Sequence, residues 1–82
     1  MKFIKENVSD WICQDEDEYV KGIFVDEYYE LNSGGETVYS VMIEIAHGHR
    51  VTIKDFYYPE DACIFADKLA ELLNRDDLNA NN

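Results

Sequence analysis

From Thr37 to Ala46 the chain alternates: Tyr39, Val41, Ile43 and Ile45 take the odd positions, with Ser40 and Glu44 among the even ones. Period-2 alternation rich in β-branched residues describes a strand with one face in a core and the other nearer water. Such a strand is not stable alone and needs hydrogen-bonded neighbours and cover over its apolar face. The flanking sequence supplies both. Just downstream, Val51 and Ile53 alternate with Arg50, Thr52 and Lys54. Between the two segments, Ala46-His47-Gly48-His49 is short enough for a tight hairpin, with Gly48 free to take a positive φ. Upstream, Tyr19 to Leu31 carries Ile23, Phe24, Val25, Tyr28, Tyr29 and Leu31, and its alternation breaks at Asp26-Glu27, which predicts a bulge or strong bend there. The turn cluster Asn32-Ser33-Gly34-Gly35 joins it to the central strand. Together these segments predict a three-stranded antiparallel meander.

After Tyr57-Tyr58 the period changes. Pro59 suits a first helical position, and Glu60 and Asp61 place negative charge at the positive end of the helix dipole. Ala62, Phe65, Ala66, Leu69, Leu72 and Leu73 recur at steps of three and four, an apolar stripe for packing on the sheet. The helix is expected from Pro59 to about Asn74, with Glu71 and Arg75 as a favourable i,i+4 pair. Residues 76–82 are expected as a frayed polar tail, leaving one domain over residues 1–75. Met1 to Lys5 fits an edge strand. Asn7 to Gln14 fits either a strand, the preferred reading, or a short helix capped by Ser9, with Trp11 or Ile12 inward. The expected fold is therefore α+β: an antiparallel sheet of three to four strands with one C-terminal helix across one face. The other face, which carries Val38 and Met42, is left to water or to a partner.

Charge narrows the function. The 82 residues hold 18 acidic and 7 basic side chains, a net charge of −11. Affinity for phosphate comes from Lys and Arg, so direct binding of nucleic acid is not expected. The apolar runs are too short for a membrane span and no charged-then-apolar leader is expected at the N-terminus. Cys13 and Cys63 make no disulfide framework, so the expected setting is reduced and cytoplasmic.

Motifs of catalysis are weak. His47 and His49, with Glu44 nearby, can chelate a metal, but spacing places no third strong ligand and no metal site is expected. Asp15-x-Asp17 begins like a calcium loop, yet Val20 stands where the glycine belongs and Asp26 where the bidentate glutamate belongs. Cys63 falls beside the apolar stripe, where a buried thiol is inert. No glycine-rich phosphate loop or nucleophile elbow is present. The expectation is a non-catalytic protein with no cofactor.

What remains is a concentration of carboxylates and tyrosines. Asp15, Glu16, Asp17, Glu18, Asp26, Glu27 and Glu30 face only Lys21, so residues 15–30 carry a charge of −6. On an extended chain, alternate carboxylates stand ~6.6 Å apart on one face, a spacing able to imitate a line of phosphates. Tyr28 and Tyr29 lie within this region, and neighbouring strand residues point to opposite faces, so at least one must be exposed. Tyrosine amid carboxylates suits an Arg-rich target, through cation–π contacts and ion pairs. The expected partner-binding residues are Asp15, Glu16, Asp17, Glu18, Asp26, Glu27, Tyr28, Tyr29 and Glu30, and the expected partner is a basic protein or ribonucleoprotein complex. The plain alternative is that the charge serves solubility.

The length of 82, the charge of −11, the Asp15-to-Glu18 run, the sheet followed by one helix and the opening Met1-Lys2-Phe3-Ile4-Lys5 resemble short phage-encoded inhibitors, including anti-CRISPR proteins and other nucleic-acid mimics. The resemblance implies a stoichiometric inhibitor that occupies the positively charged nucleic-acid channel of a defence complex. Two other readings fit the same residues. One is a self-associating accessory subunit, a homodimer formed through the Met1–Lys5 edge or the uncovered sheet face. The other is an immunity protein against a cationic toxin nuclease.

Overall fold

The computed structural model describes residues 2–30 and 34–80, with side chains omitted at Glu30 and at residues 76–80. Met1, residues 31–33, which take in half of the expected turn cluster, and residues 81–82 of the expected tail lie outside the described residues. The chain forms β1 (Phe3–Asn7), β2 (Asp10–Cys13), β3 (Val20–Glu30), β4 (Glu36–Ile45), β5 (Arg50–Phe56) and α1 (Pro59–Ala80). All five strands join one antiparallel sheet in the order β1-β2-β3-β4-β5, and α1 crosses one face. The fold is the expected α+β meander with a C-terminal helix. It has five strands rather than three to four, because both uncertain N-terminal segments pair: Phe3 stands opposite Cys13, and Trp11 opposite Ile23.

Directly opposed residues share a face of an antiparallel sheet, so the register sorts the side chains. Ile23 opposite Ile43, Val25 opposite Val41 and Tyr39 opposite Phe56 look towards the helix. With Phe3, Trp11, Ala62, Ala66 and Ala70 they build the core. The three alanines are spaced by four and are fully or nearly buried, so small side chains let the helix axis sit close to the sheet. Phe65, Leu69 and Leu73 flank them. Leu72, expected in this stripe, is instead 55% exposed, and Ala70 takes part in its place. At ~100° per residue Leu72 lies about a third of a turn from the centre of that row.

The helix is tied to the first strands by polar contacts. Trp11 Nε1 donates to Asp67 Oδ1 at 2.9 Å. Asn74 accepts from the Phe3 backbone N–H at 2.8 Å and donates to the Phe3 carbonyl at 3.3 Å. The helix continues beyond the end expected near Asn74, to Ala80.

Three register shifts interrupt the ladders: one, between Lys5 and Asn7, leaves Glu6 extra in β1, and the other two lie in β3 and β5. The predicted bulge at Asp26-Glu27 is not there: Asp26 stands opposite Ser40 and Glu27 opposite Tyr39 in unbroken register. The shift lies earlier, between Val20 and Gly22, and leaves Lys21 as the extra residue. The third shift, between Val41 and Met42, leaves Ile53 extra in β5 and turns Lys54 to the helix side, away from the face it would share with Arg50 and Thr52. There its ammonium lies 5.3 Å from the Phe56 ring centroid and 5.9 Å from that of Phe65. The β4–β5 turn takes positive φ at both His47 (69°) and Gly48 (78°).

Candidate partner-binding surface

The face of the sheet opposite the helix carries a polar cover. Gly22 lacks a side chain, and Phe24 lies over it: a Cβ at Gly22 would fall 2.7 Å from the ring. The Arg50 guanidinium stacks on Phe24 at 4.1 Å and pairs with Asp26 at 3.2 Å and Glu44 at 3.3 Å. A planar cation on an aromatic face, held from two sides by carboxylates, hides the ring without a second layer of structure. Further along, the buried Ser40 hydroxyl donates to Asp55, which also accepts from Tyr28 Oη at 3.4 Å. Phe24 is thus 8% exposed and Val38 3% exposed with no helix above them.

Beyond this cover, β3 and β4 outrun their neighbours. β5 ends at Phe56, opposite Tyr39. On the other side, β2 begins at Asp10, opposite Phe24, and the last link is the Val25 N–H to the Ser9 carbonyl at 2.9 Å. The helix starts at Pro59, just past β5, and runs away from this end, meeting Val8 through Cys63 and Phe3 through Asn74. Tyr28–Glu30 and Glu36–Val38 therefore form a two-stranded arm at one end of a body measuring 49 × 26 × 19 Å, with Asp26 and Glu27 at its root, where β4 still pairs with β5.

Alternation divides the side chains of the arm and its root between the two faces. Asp26 and Tyr28 lie on the polar-covered side, Glu27 and Tyr29 on the helix side. Glu27, Tyr28 and Tyr29 are all exposed, and the Tyr29 phenol lies over Gly35. Glu30 ends β3, and its side chain lies outside the described residues. Tyr57 and Tyr58, which follow β5, join this end. Both are exposed, and with Glu36 and Thr37 they line an open groove. They were missed as site residues because only the pairing of Phe56 with Tyr39 brings them beside Glu36 and Thr37. The signal available in sequence was their adjacency as a second tyrosine pair.

The other half of the expected surface is elsewhere. Asp15, Glu16, Asp17 and Glu18 sit in the β2–β3 connection, at the end of β3 where Val20 stands opposite Ile45. Nine residues of strand, about 30 Å, separate Val20 from Tyr29. The run is folded rather than extended. The Glu18 N–H donates to the Asp15 carbonyl at 3.3 Å, and Lys21 Nζ donates to the Glu16 carbonyl at 2.6 Å. The expected ladder of carboxylates on one strand face is not formed, because a turn splays its side chains. The nine expected residues thus fall into two acidic regions at opposite ends of β3.

His47 and His49 lie exposed in the β4–β5 turn. Among the described residues, no group of three or more His, Cys, Asp or Glu is arranged to hold a metal ion. No described helix is long and apolar enough to cross a membrane. In comparisons with known proteins, no family model, curated protein or solved structure matches the chain.

Proposed function

We propose that this protein is a non-catalytic acidic binding protein that docks on a basic, nucleic-acid-handling partner and blocks it. One observation carries the reading: the sheet extends an arm along which, from its root, exposed tyrosines alternate with carboxylates on both faces. Aromatic side chains at the rim of a folded core rarely stay so exposed together without a contact to make. A ring flanked by carboxylates offers an arginine both its face and a counter-charge. The folded Asp15–Glu18 turn extends the negative field to the far end of the molecule, where it speeds encounter rather than holding the complex.

The test starts from affinity capture in the native host, with the partner identified by mass spectrometry. Binding kinetics are then measured with two variants. Glu27→Lys with Tyr29→Ala, at the root of the arm and on it, should raise the dissociation rate by at least about tenfold. Reversing all four charges from Asp15 to Glu18 should chiefly lower the association rate. Nucleic acid bound by the partner should be displaced. A partner indifferent to both variants, or one that still holds its nucleic acid at saturation, sinks the proposal.

A further inference from the structure

Among the described residues the sheet has four stretches of strand edge with open hydrogen-bonding groups, and they are not equivalent; the shortest is Thr37 of β4, beyond the end of β5 and flanked by Tyr57 and Tyr58. On β1, the outward N–H and C=O of Phe3 are both taken by Asn74 of the helix. On β5, the extra residue Ile53 breaks the regular edge, and a bulge of this kind twists a strand away from pairing. The third edge is the side of β3 that β2 leaves bare beyond Val25. In an antiparallel ladder the N–H groups alternate in direction. Because the Val25 N–H points towards β2, those of Glu27 and Tyr29 point the same way, together with their carbonyls. No described residue pairs with them.

We infer that this edge, Asp26 to Tyr29 of β3, receives an extended cationic peptide segment of the partner as an added strand. The inference rests on the proposed function and specifies how the contact is made. Charge selects the occupant. The side chains beside the open groups are Asp26 and Tyr28 on one face and Glu27 and Tyr29 on the other, so an incoming strand meets a carboxylate and a phenol on each side. A second copy of the chain would bring the same carboxylates into opposition, and like charges across strands repel. A strand carrying Arg or Lys finds the exposed Glu27 carboxylate on the helix side, while on the other face Asp26 and Glu44 share the single guanidinium of Arg50 and keep a net negative charge. Main-chain bonds then supply attachment, and the flanking side chains supply selectivity.

The probe is a ten-residue peptide of alternating arginine and threonine, added to the full chain at low salt. Amide hydrogen exchange of Glu27 and Tyr29 should be fast in the free protein and slow by about tenfold or more when the peptide saturates. Two variants separate charge from pairing. Glu27→Gln keeps the N–H and loses the charge, and should weaken peptide binding a few-fold. Glu27→Pro also loses the outward N–H while sparing the β3–β4 ladder, and should weaken it about tenfold beyond Gln. If the peptide binds but the two amides exchange as before, or if Pro equals Gln, strand addition is wrong and the acidic-surface reading survives. If the peptide does not bind at all, both fall. The exchange measurement on the unaltered protein decides the matter even if the proline variant fails to fold.

Discussion

Gly22 shows how one missing side chain shapes the surface. Phe24 occupies the space above it, Arg50 stacks on Phe24, and Asp26 and Glu44 hold Arg50. A methyl group at Gly22 would meet the ring at 2.7 Å and the Trp11 carbonyl at 3.2 Å. The ring would have to swing outward, taking the guanidinium with it. Gly22→Ala should therefore cost ~1–3 kcal/mol despite its gain in strand propensity, as an overpacked site does. Chemical denaturation measures this, and a variant as stable as the parent would mean that the Phe24–Arg50 stack is not the cover described. Because the ion pairs on Arg50 are about half exposed, they position it more than they stabilise the fold.

Between elements, Asn74 is the clearest link. Its side chain acts as a short piece of strand against β1, satisfying both outward groups of Phe3. Asn74→Ala should cost about 1–2 kcal/mol through two lost backbone partners and should speed exchange at the Phe3 amide. Equal protection in the variant would assign β1 another anchor. This contact also marks the limit of what patterning discloses. The strands around Tyr39, Val41, Ile43 and Ile45 and the helix from Pro59 were readable because one face of each meets a single core, and burial imposes a period. Residues 3–13 were ambiguous because β1 and β2 are short and two-sided, and what fixes them is Trp11 reaching Asp67 and Phe3 reaching Asn74, both far apart in sequence. The broken pattern at Asp26-Glu27 suggested a bulge for the opposite reason. There the core is covered from β4, by Tyr39 and Ser40, while Asp26 of β3 pairs with Arg50 and Glu27 is exposed, so burial does not enforce alternation on β3 itself. Of the candidate surface, residue identities were readable. Their distribution was not, since only the register places Asp15–Glu18 at one end of β3 and Tyr28–Tyr29 at the other, with Tyr57 and Tyr58 beside the arm.

For the molecule as a whole, a net charge of −11 on so small a body acts twice, with opposite signs. Mutual repulsion among carboxylates works against compactness, so screening it should stabilise the fold. The attraction for a cationic partner is screened by the same ions, over a Debye length of ~8 Å at physiological ionic strength. Raising salt from low to physiological levels should therefore increase the melting temperature and weaken the complex. Scanning calorimetry and binding titration in matched buffers check the pair, and a complex that tightens with salt would argue for an apolar contact instead. The unpaired edge of β3 has one more consequence, for colloidal behaviour. At neutral pH its carboxylates keep two such edges from meeting. Acidified towards the isoelectric point near 4.3, the molecule loses that protection everywhere. Aggregation, when it comes, should then begin at the longest ribbon of backbone that, among the described residues, neither helix nor bulge defends.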